Sequence, residues 1–91
     1  MKALTWTDAA RADLDQMISY FDKSDPRIGA MLLERIEAAA KGLTRFDTGR
    51  PGRVAGTREK SVAKTSHVLV YEVHPDEVIV FRVVHTSREW P

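Results

Sequence analysis

The 91-residue sequence predicts an α+β fold: an antiparallel β-sheet packed by an N-terminal α-helical hairpin, in the order β-α-α-β-β-β. Two observations carry this. Between residues 8 and 43, apolar side chains recur at helical spacing in two runs separated by Asp22-Lys-Ser-Asp25. Between residues 64 and 85, two β-branched and aromatic runs flank His74-Pro75-Asp76-Glu77, the pattern of a β-hairpin.

Lys2 to Trp6 opens the chain as a short strand. Thr7 is placed to cap the helix that follows, with Asp8 in the first turn, where negative charge suits the helix dipole. Ala10, Leu14, Met17, Ile18 and Phe21 then fall at offsets of 4, 7, 8 and 11, one face of a helix. Asp25 caps a second helix and Pro26 takes its first position, where a missing N–H costs nothing. Leu32, Ile36, Ala39 and Leu43 form its apolar stripe, widened by Leu33 and Ala40, and Gly42 marks its end. The short link makes the two helices antiparallel neighbours. Gly49, Pro51, Gly52 and Gly56 make residues 45–56 a loop, with a glycine spacing that fits neither the P-loop nor the dinucleotide fingerprint. Thr57 to Val62 alternates, with Arg58, Lys60 and Val62 on one side and Thr57, Glu59 and Ser61 on the other. This polar strand reads as a sheet edge.

The hairpin turn sets a register. Placing Val73 opposite Val78 puts Val70 opposite Phe81 and Leu69 opposite Arg82. Side chains alternate across a strand, so one face carries Val68, Val70, Ile79, Phe81 and Val83, with Glu72 near the turn. That face is expected beneath Leu14, Met17, Ile18, Leu32, Ile36 and Leu43. The other carries Leu69, Tyr71, Val73, Val80 and Val84, with Arg82 among them. A charge in mid-strand marks this second face as open to water or to a partner.

Composition limits the function classes. The chain is long enough for one small domain over residues 1–91. It has no cysteine, hence no disulfide framework and no thiolate metal site. No apolar run approaches the roughly 20 residues a bilayer requires, and the N-terminus has no signal pattern, so a cytoplasmic protein is expected. A net charge of +1 conceals an asymmetry. Residues 41–64 hold Lys41, Arg45, Arg50, Arg53, Arg58, Lys60 and Lys64 against Asp47 and Glu59, a balance of +5, while the segments before and after each stand at −2. A polyanion or an acidic partner is the natural counterpart, and a merely solvated basic loop is the plain alternative.

The element order, the stretch Gly-Arg-Pro-Gly-Arg-Val-x-Gly-Thr-Arg-Glu from Gly49 to Glu59, and the runs Ser-His-Val-x-Val-Tyr-x-Val and Arg-Val-Val-His-x-x-Arg resemble the RelE/ParE superfamily. These are the toxins of bacterial type II toxin–antitoxin systems, which inhibit growth and are associated with plasmid stabilisation. The resemblance covers nearly the whole chain and is strongest after Gly49. It implies a cognate antitoxin with an acidic amphipathic segment as partner, and no cofactor or metal. It also forks: the RelE branch cuts mRNA on the ribosome without metal, whereas the ParE branch poisons DNA gyrase.

Metal-free RNA cleavage needs a base for the 2′-hydroxyl, cations for the phosphate and an acid for the leaving oxygen. The candidates are Arg58, Lys60, Arg82, His85 and Arg88. Histidine is the side-chain type suited to acid–base work near neutral pH, but His85 reads more readily as a packed, hydrogen-bonded histidine at a strand end than as a catalyst. In the RelE pattern an arginine stands early in the third strand, where this chain has Val68, and a tyrosine follows the last strand, where this chain ends at Trp90-Pro91. Only Arg88 matches. Ser66-His67 and Arg82-Val-Val-His85 resemble the ParE branch more closely, and DNA gyrase is the expected target. Arg50, Arg53, Arg58, Arg82, Arg88 and Trp90 are then the target-binding candidates. Leu69, Tyr71, Val80, Arg82 and Val84 are the antitoxin-binding candidates, on the face read as open. A basic nucleic-acid-binding module is a third reading, disfavoured because the strands lack an aromatic platform and no helix is built for base readout.

Overall fold

A computed structural model describes residues 1–87 and Trp90. Its elements are β1 (Ala3–Trp6), α1 (Asp8–Asp22), α2 (Pro26–Leu43), β2 (Arg50–Pro51), β3 (Arg58–Ser61), β4 (His67–Val73) and β5 (Glu77–His85). They form two helices on a five-stranded sheet of order β1-β5-β4-β3-β2. The α+β architecture and the helical hairpin are as expected from the sequence. The sheet is mixed, because β1 joins β5 in parallel while the other pairs are antiparallel.

The helices start where their caps dictate. Thr7 Oγ1 accepts the Ala10 amide at 3.1 Å, and Asp25 Oδ1 accepts that of Arg27 at 3.1 Å. The second helix runs one residue past Gly42, ending at Leu43 with Thr44 as its cap. Met17, Leu32, Ile36, Ala40 and Leu43 are buried in the core, with Leu14 and Ile18 packed at its margin. Burying each large aliphatic side chain stabilises the fold by about 1.5–3 kcal/mol.

The sheet side of that core corrects the expected faces. Near the turn the register is as read, with Val73 opposite Val78. Beyond it a bulge intervenes: Tyr71 pairs with Val80 but Val70 with Arg82, leaving Phe81 as the extra residue. Val70 therefore does not face Phe81, and Leu69 lies opposite Val83 instead of Arg82. The helices cover Leu69, Tyr71, Val73, Val78, Val80 and Val83. The face carrying Val68, Val70 and Val84 is the one turned away from them. The bulge moves Arg82 off the Tyr71 face and leaves the middle of the β4–β5 hairpin apolar on that side, so the helices pack there. Leu69, Tyr71 and Val80 are each 0% exposed and cannot meet an antitoxin, contrary to the expectation from sequence.

A second correction concerns β3. It is not the edge, because the loop folds back so that Arg50 pairs with Glu59 and Pro51 with Arg58. The edge is the two-residue β2, whose proline offers no N–H to a stray strand. At the opposite side, β1 accompanies β5 only from Glu77 to Val80. The chain then turns into α1, and among the described residues no strand covers β5 beyond that point.

Candidate functional site

Three carboxylates organise the cations that the sequence singled out. The first is Asp47, in the loop after α2. The Tyr71 hydroxyl reaches from the buried face of β4, donates to Asp47 Oδ1 at 2.5 Å and accepts the Gly49 amide at 3.0 Å. Arg58 donates through Nε to Asp47 at 2.9 Å and through Nη2 to the Gly49 carbonyl at 2.6 Å. Burial alone would raise the Asp47 carboxyl, but the hydrogen bonds from Tyr71 and Arg58 outweigh it and hold the group below its ordinary range. Burial, and then the hydrogen bond to Asp47, push the Tyr71 phenol up. The packing is tight enough to require a glycine: a Cβ on Gly49 would stand 2.6 Å from the Glu59 carbonyl oxygen and would overlap the Tyr71 hydroxyl.

The second carboxylate, Glu59, is only 3% exposed and lies on the opposite face of β3. It accepts the Arg53 amide at 2.9 Å and stands 3.5 Å from Arg50 Nη2. Arg50 Nη1 also donates to Ser61 Oγ at 3.1 Å, and Arg53 Nη1 donates to the Trp90 carbonyl at 3.0 Å. Together with Val68, Val70 and Val84 these groups line a shallow hollow of about 110 Å³ on the sheet face away from the helices.

The third is Asp13 of α1. It accepts Arg82 Nε at 2.8 Å, Arg82 Nη2 at 3.0 Å and the Val83 amide at 2.8 Å. The hydrogen bond to Asp13 holds the Arg82 guanidinium above its ordinary pKa. The same guanidinium lies 5.7 Å from the centre of the Trp90 ring, within cation–π reach.

These positions separate the nuclease candidates. Arg58 and Lys60 pair with Tyr71 and Leu69, and so belong to the helix side of the sheet. Arg82 stands in line with Val70 and Glu59, on the other side. His85 ends β5 opposite His67, their rings edge to face at 5.2 Å, and its Nδ1 lies 2.6 Å from Ser87 Oγ. The two histidines line a groove of about 790 Å³ bounded by α1, α2 and the turn before β4. Arg88 lies outside the described residues. The structure does not gather Arg58, Lys60, Arg82 and His85 around one phosphate.

The target-binding candidates fare differently. Arg50, Arg53, Arg82 and Trp90 come together on the far face, while Arg58 is turned away and Arg88 is outside the described residues. Of the antitoxin-binding candidates, only Arg82 and Val84 retain surface there. Sequence reasoning missed Asp13, Asp47 and Glu59 as the groups that aim the arginines. The one local signal was the isolation of Asp47 and Glu59 in an otherwise basic stretch.

Comparison with known proteins agrees with this architecture. The sequence model of the ParE toxin of the type II toxin–antitoxin system, parDE, matches residues 4–90. The protein Y4kP of Sinorhizobium fredii, which bears a toxin's name, is 34% identical over 91 residues, covering 99% of this chain and 94% of that protein. Among solved structures, the chromosomal ParDE toxin–antitoxin system from P. aeruginosa superposes with a TM-score of 0.83 at 25% identity, covering 93% of this chain and 96% of that one. The toxin–antitoxin complex RelBE2 from Mycobacterium tuberculosis gives a TM-score of 0.60 at 27% identity, over 96% of this chain and 93% of the other. A family match over almost the full length, on a sheet and helical hairpin of the same shape, leads to one conclusion: the chain belongs to the ParE toxin family of type II toxin–antitoxin systems, within the RelE/ParE superfamily.

Proposed function

We propose that this toxin inhibits growth by poisoning DNA gyrase and is neutralised by a cognate antitoxin. The observation that carries the reading is the separation of the cations. Metal-free cleavage requires base, acid and phosphate clamp to converge on one scissile phosphate. Here Arg58 and Arg82 stand on opposite faces, each on its own carboxylate. A binding toxin has no such requirement: it needs oriented arginines and an aromatic anchor, the residue types that dominate interface energetics. Arg50, Arg53, Arg82 and Trp90 supply these on the far face. The likeness to the ParDE system of P. aeruginosa supports the same branch.

An antitoxin partner is supported by the relatives, whose structures are toxin–antitoxin systems. With Leu69, Tyr71 and Val80 buried, the surface that suits an amphipathic segment is the groove beside β5, with Met17, Phe21, Leu32 and Val83 on its wall. Purified toxin should inhibit gyrase supercoiling and produce no ribosome-dependent cuts in a toeprinting assay run alongside. Ribosome-dependent mRNA cleavage that is lost in Arg88→Ala would overturn the reading in favour of the RelE-like nuclease.

A further inference from the structure

We infer that Asp13 is the positioning residue for Arg82: from helix α1 it fixes the guanidinium against Trp90, in the orientation in which the target is met. The inference rests on the reading of Arg82 as a target contact. It begins with the end of β1. After Trp6 the chain turns, Thr7 binds the Val80 and Phe81 carbonyls, and α1 crosses the edge of β5 that β1 has left. Asp13 thereby arrives at that edge with its side chain only 13% exposed.

Both of its oxygens are engaged. Oδ2 accepts the Val83 amide and Arg82 Nε, and Oδ1 accepts Arg82 Nη2. The Arg82 side chain is 43% exposed, and without this two-pronged bond so long a side chain would sample many rotamers. Held by Nε and Nη2, it keeps one orientation over the Trp90 ring and leaves the remaining N–H groups of the fork to a target. The bulge at Phe81 makes this possible by bringing Arg82 to the far face beside an edge amide that needs an acceptor.

Asp13→Asn separates positioning from simple edge capping. Asparagine keeps an oxygen for the Val83 amide and Arg82 Nε but turns an N–H₂ toward Arg82 Nη2, where a donor repels a donor and the two-pronged hold is lost. The full chain, expressed from a repressible promoter and also purified, should retain a thermal midpoint close to wild type. Its concentration for half-inhibition of gyrase should rise by about tenfold or more, as for Arg82→Ala. The double variant should be no weaker than Arg82→Ala alone, because the two residues act as one unit. Asp13→Glu should recover part of the activity. The emission of Trp90, read in a Trp6→Phe background, should shift alike in Asp13→Asn and Arg82→Ala. Full activity of Asp13→Asn beside an inactive Arg82→Ala, full activity of Arg82→Ala itself, or strictly additive losses would each overturn the inference. Growth arrest in cells ranks the same variants whatever the target. A wild type that arrests growth without touching gyrase would therefore sink the gyrase reading and still leave Asp13 to be judged.

Discussion

Replacing Tyr71 by Phe removes a single oxygen and measures how firmly the basic loop is held. The phenol is fully buried at its ring, and its hydroxyl has two partners, the Asp47 carboxylate and the Gly49 amide. A hydrogen bond to a charged group is worth about 1.5–3 kcal/mol, and a buried amide left without an acceptor costs about 1–3 kcal/mol. Asp47 keeps Arg58 as a partner in the variant, so the lower part of each range applies and the sum is about 2.5–4 kcal/mol. The phenylalanine ring fills the same volume, and no cavity penalty is added. For a domain of this size each kcal/mol moves the thermal midpoint by about 4–8 °C, so a fall of about 10–30 °C is expected. Circular-dichroism melts and urea titrations at neutral pH measure it, with an unchanged urea slope showing that the folded state is intact. A fall of less than about 3 °C would refute the reasoning, because the loop would then be anchored elsewhere.

The same substitution has a signature in pH. Asp47 is held below its ordinary 3.8 in the folded state, so it contributes stability above that pH and loses it as the pH falls through the folded value. Tyr71 is held above its ordinary 10.0, so its contribution is complete below pH 10.0 and is lost as the pH rises through the folded value. Wild-type stability should therefore decline on both flanks. Tyr71→Phe should remove the Tyr71 contribution to the alkaline flank and weaken the acid one.

Two further substitutions probe the corrected packing. Gly49→Ala should destabilise by about 1–3 kcal/mol in urea titration, since its Cβ would stand 2.6 Å from the Glu59 carbonyl with no room to shift. Leu69→Ala, at a position 0% exposed, should cost about 2–5 kcal/mol of stability and leave the antitoxin affinity of the folded fraction unchanged. A variant that kept its stability but lost antitoxin would place Leu69 back on the surface.

What could be read in the sequence was what is decided locally. Thr7 and Asp25 cap their own helices, the apolar stripes repeat within each helix, and the turn at His74-Pro75-Asp76 fixes Val73 opposite Val78. The bulge at Phe81 leaves no mark on composition or alternation, yet one extra residue turns every side chain beyond it to the other face. A hint was present. Without a bulge, Glu72 and Arg82 fall on opposite faces and neither is free of charge. With one they share a face, and Leu69, Tyr71 and Val80 form an uninterrupted apolar surface for the helices. The carboxylates were illegible for a different reason: Asp47 meets a tyrosine 24 residues away and Asp13 an arginine 69 residues away. Counted by charge, acids only subtract. Placed in space, they aim. Arg58 is held by Asp47 and Arg82 by Asp13, while Arg50 leans on Glu59. The balance of +5 already subtracts Asp47 and Glu59, and what their placement adds is a set of fixed donors facing an approaching ligand. Recognition built on oriented arginines and Trp90 depends on geometry more than on bulk attraction, and its salt dependence should be correspondingly shallow.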